Sequence, residues 1–227
     1  MKIVLKIGGS ILMPNEVDVN FIKKLATKLT QWIKKHEIAV VIGGGALSRE
    51  FDKIGRRITK DEDFLDLLGI YASRLNAALL IAALENSACP VIPRSEVEFL
   101  DLVLKYQQKV IVCGGFRPGQ RTDAVAVEIA KVWNADFVIK GTNVDYVYDK
   151  DPKKNKNAKP IKEMSFDDLQ KYADQTHKAN QSTIMDLKSA EMIANEHIRV
   201  AVLNGKNLEN IEKFLNRQEF KGTRIGF

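Results

Sequence analysis

Three short apolar runs each end in a cluster of glycines, and this repeated design constrains the fold more than any other feature of the chain. Residues 2–7 run into Gly8-Gly9-Ser10, residues 38–42 into Gly43-Gly44-Gly45, and the KVIVC run of 109–113 into Gly114-Gly115. Helical spacing fills the intervals. Phe21, Ile22, Leu25, Leu29 and Ile33 recur along one face of 19–33, and 63–84 is a long, mostly apolar helical stretch. FVIKGTNVDYVY, 137–148, reads as a strand, a glycine break and a second short strand. Residues 198–203 form another apolar run, and 208–215 another helix. Continuous apolar runs suit strands buried on both faces, and strands alternating with helices imply a parallel sheet between helices, an α/β sandwich. Ligands of such sheets bind beyond the carboxyl ends of the strands. All three glycine clusters fall there, so they predict one site assembled from three loops.

A glycine after a strand lets backbone approach a ligand, and the helix that follows offers unpaired N–H groups to an anion. Lys6, Arg49, Arg117 and Arg121 lie near these turns, which points to phosphate groups on both a donor and an acceptor. The loop GGFRPGQRTDAVA, 114–126, has the G-x-x-x-x-G spacing of a P-loop, but Gln120 and Arg121 stand where Lys and Ser or Thr should follow. Which anion a glycine loop with two arginines holds, when it is not a P-loop, is left open by the spacing alone. A lone lysine in an apolar strand, such as Lys6, needs a charged partner to offset its burial.

Composition narrows the classes. The 227 residues are 45% hydrophobic and 28% charged, a globular profile with no continuous apolar run of the ~18 residues that a membrane span needs. MKIVLKIGGS reads as a first strand rather than a signal peptide, and the expected location is the cytoplasm. The net charge of +6 gathers largely in 150–162, where no aromatic residue interleaves the lysines; a solvated loop is expected, not nucleic-acid binding. Cys89 and Cys113 form no metal or disulfide motif, and His36, His177 and His197 lack ligand spacing, so no protein-built metal site is expected.

Six stretches in order, KIGGS at 6–10, GGGALSRE at 43–50, DLLGIYASRLNA at 66–77, GGFRPGQRTDAVA at 114–126, GTNVDYVYDKDP at 141–152 and IMDLKSAEMIA at 184–194, resemble the amino acid kinase superfamily. Within it they are most similar to the archaeal-type uridylate kinases. The resemblance implies a three-layer αβα sandwich with a mainly parallel central sheet, a single domain with an acceptor half at about 1–135 and an ATP half at about 136–227. It implies transfer of the ATP γ-phosphate to UMP, with Mg²⁺ carried mainly by ATP phosphates, and a homohexamer.

The resemblance also distributes roles. Lys6 and Asp186 would be catalytic, the first neutralising the transferred group, the second organising lysine and metal. ATP would meet Lys6, Gly8, Gly9, Ser10, Gly45, Arg49, Thr142, Tyr148 and Asp151. UMP would meet Gly44, Asp66 through its ribose diol, Gly114, Gly115, Phe116, Arg117, Pro118, Gly119, Gln120 and Thr122, with Gly69 opening the approach. Each has a plainer alternative: Arg49 as a surface arginine, Asp66 as a first-turn acid, Asp186 as a helix cap. Two positions depart from the pattern. Arg121 replaces a small residue and either adds a phosphate contact or faces solvent; Tyr146 replaces the glycine of TNVDGVY. Isopentenyl phosphate kinases carry a histidine shortly after the glycine run, where Ala46 to Arg49 stand here. Acetylglutamate and carbamate kinases lack the 66–77 stretch. A nucleotide sensor on the same fold and an RNA-binding module are the readings from other classes.

Overall fold

The computed structural model describes residues 1–152, 154–178 and 185–227, with the side chains of 174–178 excepted. Lys153, Ile184 and the His177 side chain lie outside the described residues. The elements run β1 (Lys2–Ile7), α1 (Gly9–Leu12), α2 (Val19–Trp32), β2 (Glu37–Ile42), α3 (Gly45–Gly55), α4 (Glu62–Leu84), α5 (Glu96–Lys105), β3 (Ile111–Cys113), α6 (Thr122–Trp133) and β4 (Phe137–Thr142). They continue with β5 (Val147–Tyr148), β6 (Pro160–Ile161), β7 (Glu163–Met164), α7 (Phe166–Lys178), α8 (Leu187–Asn195), β8 (Val200–Asn204), α9 (Leu208–Leu215) and β9 (Thr223–Ile225).

The main sheet has the order β3-β2-β1-β4-β8-β9-β7. All its pairings are parallel except β8 with β9, where the tail returns antiparallel. Strand alternation splits the core into two layers. Ile3, Leu5 and Ile7 face α2, α4 and α9, while Val4 faces α5, α6 and α8 on the other side. The chain is thus a three-layer sandwich with a mostly parallel sheet. Helix α4 is long and apolar enough to cross a membrane by length and composition. Here it is a packing helix: Leu65, Ile70, Ala77, Leu80 and Leu84 are buried and α2 and α3 lie along it.

Strand order reverses between β1 and β4. β1, β2 and β3 progress one way and β4 and β8 the other, which makes the crevice at the ends of β1 and β4 the topological switch point. In the parallel register of these two strands Lys6 lies beside Lys140. Two residues before each stands a buried apolar residue on the helix α6 face, Val4 and Val138, so both ammonium groups point to that side. The glycine clusters follow β1, β2 and β3 at the same edge, as their spacing predicts.

Candidate active site at the sheet switch point

Backbone fit fixes the first two loops against each other. A Cβ on Gly9 would lie 2.1 Å from the Gly45 nitrogen and 2.6 Å from the Gly43 carbonyl oxygen, so the loops after β1 and β2 touch only because neither carries a side chain there. Gly45 has φ +63°, a backbone geometry that glycine adopts without strain. Helix α4 then holds the second and third loops. The amide of Asn76 donates to the Gly43 and Gly44 carbonyls at 2.9 and 3.0 Å. The Arg74 guanidinium donates to the Gly115 and Phe116 carbonyls at 3.0 and 3.2 Å, and Ser73 Oγ accepts from the Gly115 N–H at 2.7 Å. Asp66, one end of the same helix, accepts from the Gly119 N–H at 2.6 Å.

Between these parts lies a cavity of about 310 Å³ lined by Gly44, Ser48, Asp66, Gly69, Ile70, Ser73, Gly115 and Gln120 to Asp123. Of the residues expected around the acceptor, Gly44, Asp66, Gly115, Gln120 and Thr122 line it. Gly114 and Phe116 are buried behind it, and Pro118 and Gly119 form the exposed turn above Asp66. Arg117 is not among the lining residues. Its guanidinium is committed to Glu96 at 2.6 Å and Glu128 at 2.7 Å, on helices α5 and α6. Its place beside Glu128 and Arg117 holds the Glu96 carboxyl down at about 2. Arg117 thus fastens the loop to its scaffold.

The floor of the crevice is an ion cluster. Asp123, in the first turn of α6, lies 3.1 Å from the Lys6 ammonium and 2.6 Å from that of Lys140; both lysines are buried. Burial works to raise the Asp123 pKa, but the charges of Lys140 and Lys6 outweigh it and hold the carboxyl well below the usual range. Burial pushes Lys140 down to about 8, with Asp123 opposing and Lys6 assisting. In this triad one carboxylate faces two ammonium groups. Lys140 also feels the charge of Asp186, whose oxygens accept from Ser189 N and Ser189 Oγ at 2.9 and 2.7 Å. Asp186 is therefore the N-cap of α8, and its charge adds a small stabilisation to the Lys140 ammonium.

Helix caps separate the site from the scaffold. Asp18, Asp61, Ser95, Ser165, Asp186 and Asn207 cap α2, α4, α5, α7, α8 and α9 through side-chain oxygens. No side-chain oxygen caps α1, α3 or α6. Those three helices begin at the glycine loops. A helix start without a capping oxygen leaves N–H donors for another acceptor, and an anion is the natural one.

The expected donor residues lie along the other rim. Gly8 N–H donates to the Gly141 carbonyl at 3.3 Å, joining the β1 and β4 loops. Ser10 is exposed on α1, and Arg49 is exposed with a long 3.4 Å contact to the Pro14 carbonyl. Thr142 Oγ1 donates to the Val144 carbonyl at 2.8 Å and accepts from its N–H at 3.2 Å, closing the turn that leads to Tyr146 and Tyr148. Those two rings meet edge to face at 6.2 Å. Asp145 accepts from the Asn204 amide at 3.1 Å. Asp151 starts a turn, its carbonyl accepting from Lys154 and Asn155.

Sequence reasoning missed Asp123, Lys140, Ser73, Arg74 and Asn76. For Lys140 the signal was present: FVIKG repeats the IVLKIG design of a lysine near the end of an apolar strand. Asp123 was visible only as the residue after Thr122.

The amino acid kinase family model matches residues 1–204. A uridylate kinase of Thermococcus sibiricus is 42% identical over 229 residues, covering 99% of each chain. One from Pyrococcus abyssi is 41% identical, again over 99% of each. Among solved structures, the uridylate kinase of Archaeoglobus fulgidus superposes with a TM-score of 0.87 at 36% identity, over 99% of this chain and 100% of that one. The UMP kinase of Ureaplasma parvum gives 0.80 at 26%, over 99% and 98%. An aspartate kinase from Synechocystis, at 0.75 and 18% over 99% of this chain and 39% of that one, shares the fold in that part. Glycine loops, paired strand lysines and the whole extent of the match agree: the chain belongs to the amino acid kinase family.

Proposed function

We propose that this chain transfers the γ-phosphoryl group of ATP to UMP, giving UDP. The observation that carries the reading is the set of three helix starts without capping oxygens, α1, α3 and α6, converging on a crevice floored by Lys6, Asp123 and Lys140. The cavity of about 310 Å³ on the α4 side suits a nucleoside monophosphate, with Asp66 and the 114–120 loop around its sugar and base, and Thr122 and the α6 start at its phosphate. ATP approaches from the β4 rim, past Gly8, Gly9, Ser10, Gly45 and Arg49, with its adenosine by Thr142, Tyr148 and Asp151. A UMP phosphate has its second ionisation near ~6 and is already a nucleophilic anion at neutral pH, so no general base is needed. Catalysis then consists of alignment and charge neutralisation of a loose, in-line transfer. Lys6 meets the transferred group, while Asp123 holds Lys6 and Lys140 in place between two anionic substrates.

The junction carboxylates are few and committed, Asp123 to two lysines and Asp186 to Ser189. That donor set fits a Mg²⁺ that arrives on ATP oxygens and keeps most of its waters, with Asp186 as the nearest protein acid. When bound, Mg²⁺ would supply neutralising charge on the phosphate oxygens. The proposed setting is pyrimidine nucleotide biosynthesis in the cytoplasm, on the path to CTP, by a homohexamer.

The test is ADP release from ATP and Mg²⁺ with UMP, CMP, AMP, isopentenyl phosphate or no acceptor. Strong turnover with UMP is expected. Turnover with a different acceptor alone would overturn the acceptor assignment, and ATP binding with no turnover on any of them would overturn the enzyme assignment.

A further inference from the structure

The loop from Gly114 to Asp123 carries two arginines, and the structure gives them opposite circumstances. Arg117 is held by two carboxylates and is absent from the cavity lining. Arg121 lines the cavity, is exposed, and its guanidinium makes no hydrogen bond or ion pair with any described residue. It also occupies a position where an arginine is unfavourable. Arg121 is the N-cap of α6, with extended backbone angles of −81° and 156°, and no side-chain oxygen caps that helix. Ser, Thr, Asp or Asn would satisfy a free N–H there, and a cation at the positive end of a helix dipole is repelled. The six capped helices of the chain obey this rule. An arginine here gives up stability in the empty protein.

Electrostatics show what recovers it. Of the two carboxylates in the cavity lining, Asp123 is held by two lysines, and Asp66 accepts the Gly119 N–H. The α6 start, Thr122 and Arg121 share one end of the cavity. A phosphate dianion there would take N–H donors from the helix and a forked pair from the guanidinium, which suits phosphate geometry better than any single point charge. We infer that Arg121 is an additional ligand of the acceptor phosphate, not needed by the fold. The inference rests on the acceptor reading above. It predicts opposite effects of one substitution: weaker acceptor binding and a more stable empty protein.

The test compares wild type with Arg121→Thr and Arg121→Lys. UMP is varied at saturating ATP, ATP is varied at saturating UMP, and each protein is melted without ligand. Loss of one charge-assisted pair predicts a UMP KM about tenfold higher in Arg121→Thr, with kcat and the ATP KM little changed. Arg121→Lys keeps the charge but not the fork, and its UMP KM lies between the two. Because threonine can cap α6, Arg121→Thr melts about 2–4 °C higher than wild type. An unchanged UMP KM in Arg121→Thr, with wild type active on UMP, would overturn the inference alone. A folded wild type that releases no ADP with UMP would overturn the acceptor reading and this inference with it.

Discussion

The two rims of the crevice are built differently. On the acceptor rim, one helix reaches across to both glycine loops: Asn76 holds Gly43 and Gly44, Arg74 and Ser73 hold Gly115 and Phe116, and Asp66 holds Gly119. On the donor rim the ties come from separate elements: Gly8 and Gly205 N–H donate to the Gly141 and Thr142 carbonyls, and Val147 N–H donates to Thr223 Oγ1. Thr142 closes its own turn, Asp149 Oδ1 accepts from Lys159 N–H within the β5–β6 hairpin, and Asn204 to Asp145 is a longer-range tie. Pre-ordered loops lower the entropy lost on binding and sharpen discrimination. Under the proposed reading UMP meets loops that one helix has already ordered, while ATP meets a seat assembled from several elements.

Asp123→Asn breaks what the rims share. Two buried ammonium groups lose their counter-charge, and breaking a buried ion cluster costs about 3–5 kcal/mol. Chemical denaturation should show a loss of that order, with turnover abolished on any acceptor. Lys6→Ala should instead lower turnover by about 10²–10³ with a smaller loss of stability, because Asp123 keeps Lys140 as its partner. Near-normal turnover in that variant would contradict the catalytic role of Lys6.

Asn76→Ala separates the rims. It leaves two loop carbonyls without a buried donor, costing about 1–3 kcal/mol, and should raise the UMP KM well above any change in the ATP KM. Equal effects on both substrates would erase the distinction. Lys140 supplies a pH test. With its pKa near 8 in the empty site, the ammonium loses charge as pH rises through that value, so turnover should decline on the alkaline side. Lys140→Arg stays charged and should move that decline upward. The smallest effect belongs to Tyr146→Gly, which restores the family pattern and removes the edge contact with Tyr148. Only the ATP KM should move, by a few-fold, the scale of one aromatic pair.

The same asymmetry explains what the sequence disclosed. β1, β2 and their glycine clusters were legible because a buried parallel strand is a continuous apolar run and each run stops at glycine. Lys6 stood out as a charge in such a run. Lys140 carries the same mark, yet its partner is fixed only by the β1–β4 register, which no local pattern specifies. Arg74 and Asn76 read as ordinary polar positions on a helix, since their partners lie some thirty to forty residues away in the chain. The pairing of Arg117 with Glu96 and Glu128 is equally hidden, since those acids approach it only in the folded protein. Strand β9 pairs antiparallel at the far side of the sheet, and three residues give too short a pattern to detect.

Hydrogen exchange measured with UMP alone, with a non-hydrolysable ATP analogue alone, and with neither tests the division of the crevice most directly. UMP alone should protect 43–48 and 114–124 and leave 142–151 unchanged, while the ATP analogue should protect 8–12 and 142–151. Protection of 142–151 by UMP, or none at 114–124, would contradict the placement of the acceptor beside α4 and α6.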